Sequence, residues 1–278
     1  MLKSIILLSL FDIPQWHRYL LPLAVYLIQF TVCHLKTSFE ISTLTNLASL
    51  LTEGKRKGTL HKDLYGLPTY ETGDIESQKV IIIAVDIFGY DFLNTNLIAD
   101  EFAKAGFYVV VPDILLGDPV DLSGGPEGLK KWKENHGSEV TLPVYHKFLI
   151  ELKKHVGGKA KFFSVGYCFG APSVVSELTD YGLLTAGAVA HPTAVTIESV
   201  ERITKPFMIS AAQTDARFTP ELRHKTEEIL IKNNIRFQMD LFSGVSHGFA
   251  IKGDIKDPVV KYAKEKCVSD VITWFSQF

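Results

Sequence analysis

The sequence predicts an α/β domain, a mostly parallel sheet with helices on both faces, and three observations carry that expectation. From about Leu64 onward, short apolar runs alternate with segments of helical spacing. Two of those runs, Lys79 to Asp86 (KVIIIAVD) and Phe107 to Asp113 (FYVVVPD), are apolar nearly throughout and rich in β-branched residues, as strands buried on both faces must be. A third run leads into Gly166-Tyr167-Cys168-Phe169-Gly170, where a strand gives way to a helix around a nucleophilic side chain.

The elements follow in order. After the first buried strand, Thr95 to Gly106 has helical spacing, with Leu97, Ile98, Phe102 and Ala105 on one face and Gly106 as a stop. The strand from Phe107 to Asp113 ends at proline. Residues Gly117 to Gly128, rich in Gly, Pro, Asp and Ser, read as an excursion loop. Leu142 to His155 reads as a helix, Ala160 to Val165 as the next strand, and a helix follows to about Tyr181. Three further strands are expected at Thr185 to Ala190, Pro206 to Ala212 and Ile235 to Phe242, with a helix at Pro220 to Lys232 between the last two. Asp257 to Phe278 closes the domain as an amphipathic helix with Val260, Ala263, Val268, Val271, Ile272 and Phe275 inward. One domain is expected over residues 60–278.

Composition excludes several functions. The chain has 278 residues, 46% of them hydrophobic and 22% charged, with a net charge of −2 and no basic stripe, so no nucleic-acid partner is expected. Its 3 cysteines, Cys33, Cys168 and Cys267, are too few and too far apart for a disulfide framework or a zinc site. A reducing, cytoplasmic location is the natural expectation. Residues 1–45 form an apolar leader of a different character. Tyr19 to Leu35 is uncharged between Arg18 and Lys36, but it carries Pro22, Gln29 and His34 and falls short of the roughly 20 apolar residues of a spanning helix. Membrane association through residues 19–35 and a gene-model artefact are the two alternatives. No metal or organic cofactor is implied, because Gly124-Gly125-Pro126 lacks the context and lysine of a phosphate cradle.

The Gly-x-Cys-x-Gly turn lifts the Cys168 sulfur above the sheet edge and aims the first amides of the next helix toward it, which favours a thiolate. Downstream, the strand Phe207 to Ala212 runs into Gln213-Thr214-Asp215, and the strand Phe237 to Phe242 runs toward Ser246-His247-Gly248. Functional groups of open α/β sheets gather at the carboxyl ends of strands. Nucleophile, acid, then histidine is the chain order of the α/β-hydrolase triad, so the fold expected is that one. Taken singly, a cysteine after a strand is more often a buried hydrophobe, an aspartate before a helix a cap, and a loop histidine a surface residue. Jointly, their order and positions favour Cys168 as nucleophile, His247 as base and Asp215 as the group that fixes the imidazole tautomer. Two backbone amides complete the expected machinery as an oxyanion hole, those of Phe169 and Ile87.

These residues resemble the dienelactone hydrolases (carboxymethylenebutenolidases), especially their fungal branch. The matching segments are VDIFGYD at Val85–Asp91, PDILLGD at Pro112–Asp118, GYCFGA at Gly166–Ala171, AHPT at Ala190–Thr193 and SAAQTD at Ser210–Asp215. The longest is DLFSGVSHGFAIKGD at Asp240–Asp254, continuing through VKYAKEKC to Cys267. The resemblance covers Leu64 to the C-terminus. It implies a Cys-His-Asp triad at Cys168, His247 and Asp215, and an acid before Ile-Phe-Gly that holds the resting thiol. Asp86 occupies that place where bacterial members have Glu, one methylene longer; a loop-capping carboxylate is the other reading. Bacterial members also place an arginine after the histidine to bind a substrate carboxylate. Here Ile251 stands there with Lys252 beside it, which either attracts an anion or is a solvated surface lysine. Phe88, Trp132 and His191 are further pocket candidates, and packing explains Trp132 and His191 equally well.

The expected activity is hydrolysis of an activated ester or enol-lactone, a small-molecule substrate, through a covalent thioester. Two rivals stand beside it. One is a non-catalytic binding protein that kept the fold; the other is a redox-sensing thiol with Cys267 as resolving cysteine.

Overall fold

The computed structural model describes residues 54–278. The apolar leader, with its candidate anchor at residues 19–35, lies outside the described residues. Among the described residues no helix is long and apolar enough to cross a membrane.

Eight strands form one sheet in the order β1-β2-β4-β3-β5-β6-β7-β8. They are β1 (Thr59–Leu64), β2 (Leu67–Thr72), β3 (Lys79–Ala84), β4 (Tyr108–Pro112), β5 (Lys161–Tyr167), β6 (Ala186–Ala190), β7 (Phe207–Thr214) and β8 (Phe237–Ser246). From β4 through β8 every pairing is parallel. The helices are α1 (Leu93–Lys104), α2 (Gly125–Asn135), α3 (Ser138–Val156), α4 (Ala171–Ser176), α5 (Ile197–Glu201), α6 (Pro220–Lys232), α7 (Phe249–Lys252) and α8 (Pro258–Ser276).

Side chains of β5 show how the two faces are covered. Successive strand residues point to opposite faces. Phe163 stacks on Phe275 of α8 with ring centroids 4.9 Å apart. Its neighbour Ser164 meets the Tyr145 hydroxyl of α3 at 2.6 Å and donates to the Ile82 carbonyl at 2.8 Å. The central strands β4 and β6 are therefore buried along their whole length, as a doubly covered sheet requires.

Four differences separate the structure from the sequence reading. β1 and β2 form an antiparallel hairpin on the sheet edge, and their polar, half-exposed residues hid them. Leu64 pairs with Leu67 across Tyr65-Gly66, whose φ values of 57 and 90 suit a two-residue hairpin turn. The loop expected through Gly128 ends earlier, because α2 starts at Gly125 with a proline in its first turn, where the missing N–H costs nothing. The helix expected to Tyr181 stops at Ser176. In α8, Val260 and Ile272 are only half-buried, whereas Trp274 joins the core.

Gly170 shows how tightly the elbow seats on the sheet, since a Cβ there would lie 2.1 Å from the Ala84 carbonyl oxygen. Gly170→Ala should destabilise the protein by about 1–3 kcal/mol in urea denaturation. Gly128→Ala, inside α2 with nothing closer than 4.0 Å, should raise stability by about 0.5–1 kcal/mol.

Candidate active site

Cys168 follows directly on β5 and carries a φ of 49, a left-handed conformation that a non-glycine residue adopts only when its surroundings impose it. The glycines on either side permit this. A Cβ on Gly166 would meet the Gly170 carbonyl at 2.8 Å and Val174 Cγ2 at 2.9 Å. The chain turns through Cys168–Gly170 as one 3₁₀ turn and enters α4, leaving the cysteine half-buried at the sheet's carboxyl edge.

Sheet register delivers its partners. Thr214 of β7 pairs with Ser246 of β8 beyond an irregularity after Ala212, so the next residues, Asp215 and His247, emerge side by side. The His247 amide also donates to the Thr214 carbonyl at 3.1 Å. His247 Nδ1 donates to Asp215 Oδ2 at 2.7 Å, and Nε2 lies 3.0 Å from Cys168 Sγ. Asp215 Oδ1 accepts from the amides of Arg217 at 2.7 Å and Phe218 at 3.2 Å. Burial alone would raise the Asp215 pKa, but His247 and these amides together hold it below the usual carboxylate value. Burial alone would lower His247. The hydrogen bonds to Asp215 and Cys168 outweigh it and lift the imidazole to about 9, so His247 carries its proton at neutral pH.

A second register match brings in His191 and Thr193. Tyr167 pairs with Ala190, which sets His191 beside Cys168 at the next strand end. His191 is fully buried, and neither ring nitrogen has a hydrogen-bond partner among the described residues. Its ring stands edge-on to that of His247 with centroids 5.1 Å apart. Burial, with the positive His247 adding to it, drives its pKa down to about 3 and keeps it neutral. The turn after it is strained, with φ of 39 at His191 and 57 at Ala194. It places the Thr193 hydroxyl 3.4 Å from Cys168 Sγ and 3.5 Å from His247 Nε2. The Thr193 amide also donates to the Cys168 carbonyl at 3.0 Å. Thr193 was not singled out from the sequence; its signal was its place at the end of AHPT.

The remaining candidates divide around the elbow. Phe169 follows the nucleophile, and Ile87 lies in the loop after β3, whose end Ala84 is in register with Gly166. The two amides thus belong to the two loops that meet over the sheet edge. Asp86 is buried, and its Oδ1 accepts from the Phe88 amide at 3.0 Å. The thiol's hydrogen-bonding neighbours in this structure are His247 and Thr193, while Asp86 bonds within its own loop. The carboxylate one methylene shorter than Glu closes its own loop. Lys252 is exposed, with its Nζ 4.3 Å from the centre of the Phe88 ring. It shares a hollow of about 210 Å³ with His247 and Phe249. Trp132 does not line the cleft beside the thiol. Its indole stands behind Phe169 at 5.1 Å, stacks on His136 at 4.2 Å and donates to the Asp118 carbonyl at 2.7 Å. That cleft, about 440 Å³, is bordered by Phe169 and Thr193, and its charged lining residues Lys133 and Arg217 are both cations. Cys267 is free and completely buried in α8, with burial pushing its thiol up to about 12, so it does not suit a resolving role.

Asp86 gives a pH signature. Burial, partly offset by the Phe88 amide, Lys252 and His247, pushes its pKa from 3.8 up to about 7. A carboxyl whose folded pKa is raised costs stability as pH climbs from its unfolded to its folded value. The melting-temperature advantage of Asp86→Asn over wild type should therefore grow between about pH 4 and 7 and then level off. A difference independent of pH would contradict this.

Comparison with known proteins agrees with the geometry. The chain is 37% identical over 232 residues to Hydrolase pyvD of Aspergillus violaceofuscus, covering 82% of this chain and 93% of that protein. It is 34% identical over 207 residues to Dienlactone hydrolase 1 of Gibberella moniliformis, covering 70% and 77% respectively. Among solved structures, one from Klebsiella pneumoniae described as a dienelactone hydrolase superposes with a TM-score of 0.66 at 15% identity, covering 81% of this chain and 99% of that one, which supports the fold. The sequence model of the Dienelactone hydrolase family matches residues 67–278. The chain belongs to that family and is an ester or lactone hydrolase with the α/β-hydrolase fold.

Proposed function

We propose that the chain hydrolyses an activated ester or enol-lactone through a thioester on Cys168. The observation that carries this reading is the unbroken relay Asp215 Oδ2, His247 Nδ1, His247 Nε2, Cys168 Sγ, with gaps of 2.7 and 3.0 Å. In the first step the sulfur attacks the substrate carbonyl while the Ile87 and Phe169 amides receive the developing negative oxygen. The tetrahedral intermediate expels the leaving oxygen, and His247 gives its proton to that oxygen or, where an enolate or phenolate departs as the anion, to solvent. Neutral His247 then removes a proton from water, and the hydroxide displaces the sulfur from the thioester to release the acid. Asp215 holds the imidazole tautomer throughout.

Cysteine restricts what can be cleaved. A tetrahedral intermediate expels thiolate more readily than alkoxide, so only a good leaving group, such as an enolate or phenolate, lets acylation proceed. The cationic cleft lining supplied by Lys133 and Arg217 suits a substrate that also bears an acid. A working thiol fits a reducing compartment such as the cytoplasm.

Cys168→Ala should lower kcat/KM for an aryl ester by at least about 10⁴-fold. With the wild type, rates should rise steeply as the leaving group's pKa falls, and simple ethyl esters should scarcely turn over. Turnover by the alanine variant at the wild-type rate would remove the proposal. Acylation should decline above about pH 9, where His247 loses its proton, and Asp215→Asn should move that decline to lower pH because it removes a bond that raises the imidazole. An unmoved alkaline limb would count against the assigned relay.

A further inference from the structure

We infer that Cys168, His191 and His247 form a binding site for a thiophilic divalent cation of the zinc type, which would block the thiol reversibly. Cys168 Sγ and one nitrogen from each imidazole all lie within 4.8 Å of one another. One thiolate and two imidazoles form a donor set suited to Zn²⁺. Zinc–ligand bonds of about 2.0–2.3 Å in tetrahedral array put donors about 3.3–3.6 Å apart, so the three need to close by no more than about 1.5 Å.

Two features beyond proximity point to a ligand. His191 is completely buried, yet among the described residues neither ring nitrogen has a partner, an arrangement that costs free energy unless something else binds there. Hydrolysis as proposed gives this ring no proton to carry, whereas a metal gives one of its lone pairs a use. His247 is already braced for coordination, since its Nδ1–H donates to Asp215 and leaves Nε2 facing the sulfur. A carboxylate behind an imidazole in this way fixes the tautomer and strengthens the ligand. The sulfur is only half-buried, so a cation can reach it, and water would complete the tetrahedron. On binding, the sulfur donates as thiolate and both imidazoles donate as neutral rings. The one proton shared between Cys168 and His247 passes to solvent.

The test uses the full chain stripped with a chelator and titrated with Co²⁺ and then Zn²⁺. One equivalent of Co²⁺ should give sulfur-to-metal charge-transfer absorption with tetrahedral d–d bands, both lost in Cys168→Ala. Zn²⁺ should displace it and protect Cys168 from iodoacetamide, with protection restored to full reactivity by chelator. Loss of a direct ligand should cost at least the roughly tenfold affinity lost with a supporting group, so His191→Phe and His191→Gln should each need at least about ten times more Zn²⁺ for the same protection. Equal protection in both variants would mean a two-ligand site without His191 and would overturn the inference, as would a wild-type cobalt spectrum with no sulfur band. If neither variant folds, X-ray absorption of the wild-type zinc complex decides: one sulfur with two imidazoles supports it, one imidazole overturns it. None of these readouts requires turnover, so an inactive protein would defeat the hydrolase mechanism and leave the metal site standing.

Discussion

Two strand ends far apart in sequence have to deliver a sulfur and an imidazole nitrogen to within 3.0 Å of each other, and the sheet is arranged around that demand. The sulfur's position is set by a residue with φ of 49, tolerable only because Gly166 and Gly170 let α4 press against β5 and the end of β3. The nitrogen's position is set by the Thr214–Ser246 register, which places the carboxylate and the imidazole on adjacent strands one residue past the pairing. A slip of one residue between β7 and β8 would turn His247 to the other face and separate it from both partners.

Charge then divides labour between two neighbouring imidazoles. His247, tied to Asp215 and Cys168, is lifted to about 9 in spite of its burial. His191, whose nearer ring nitrogen lies within 4.8 Å of the sulfur and which has no hydrogen-bond partner among the described residues, falls to about 3. Complete burial, with the His247 charge beside it, pushes His191 down, whereas at His247 the bonds to Asp215 and Cys168 outweigh burial. Asp86 shows the opposite case, a carboxyl that burial brings to about 7 and whose nearest donor is the Phe88 amide of its own loop. It bears on the site through its charge, without touching the thiol.

The buried strands and the meeting of Cys168, Asp215 and His247 were legible in the sequence, because apolar runs, a glycine-flanked turn and the order of strand ends mark them. KVIIIAVD and FYVVVPD admit few alternatives to doubly covered strands, and Gly-x-Cys-x-Gly marks a turn that only glycine flanks allow. The hairpin of β1 and β2 was hidden because edge strands with one wet face lack a continuous apolar run. The place of Thr193 beside the thiol was out of reach, because it depends on where a strained loop turns its side chain, and residue type alone does not encode that direction. For Asp86 the sequence left two readings open, and the structure shows its carboxylate accepting from the Phe88 amide of its own loop.

The most direct measurement is rapid acid quench of the enzyme mixed with excess aryl ester, followed by mass spectrometry of the peptide that contains residue 168. The mechanism requires a transient acyl group on that cysteine, released by neutral hydroxylamine as a thioester is, and accumulating when deacylation is slowed. Steady turnover with an unmodified cysteine, or with the acyl group on another side chain, would contradict it.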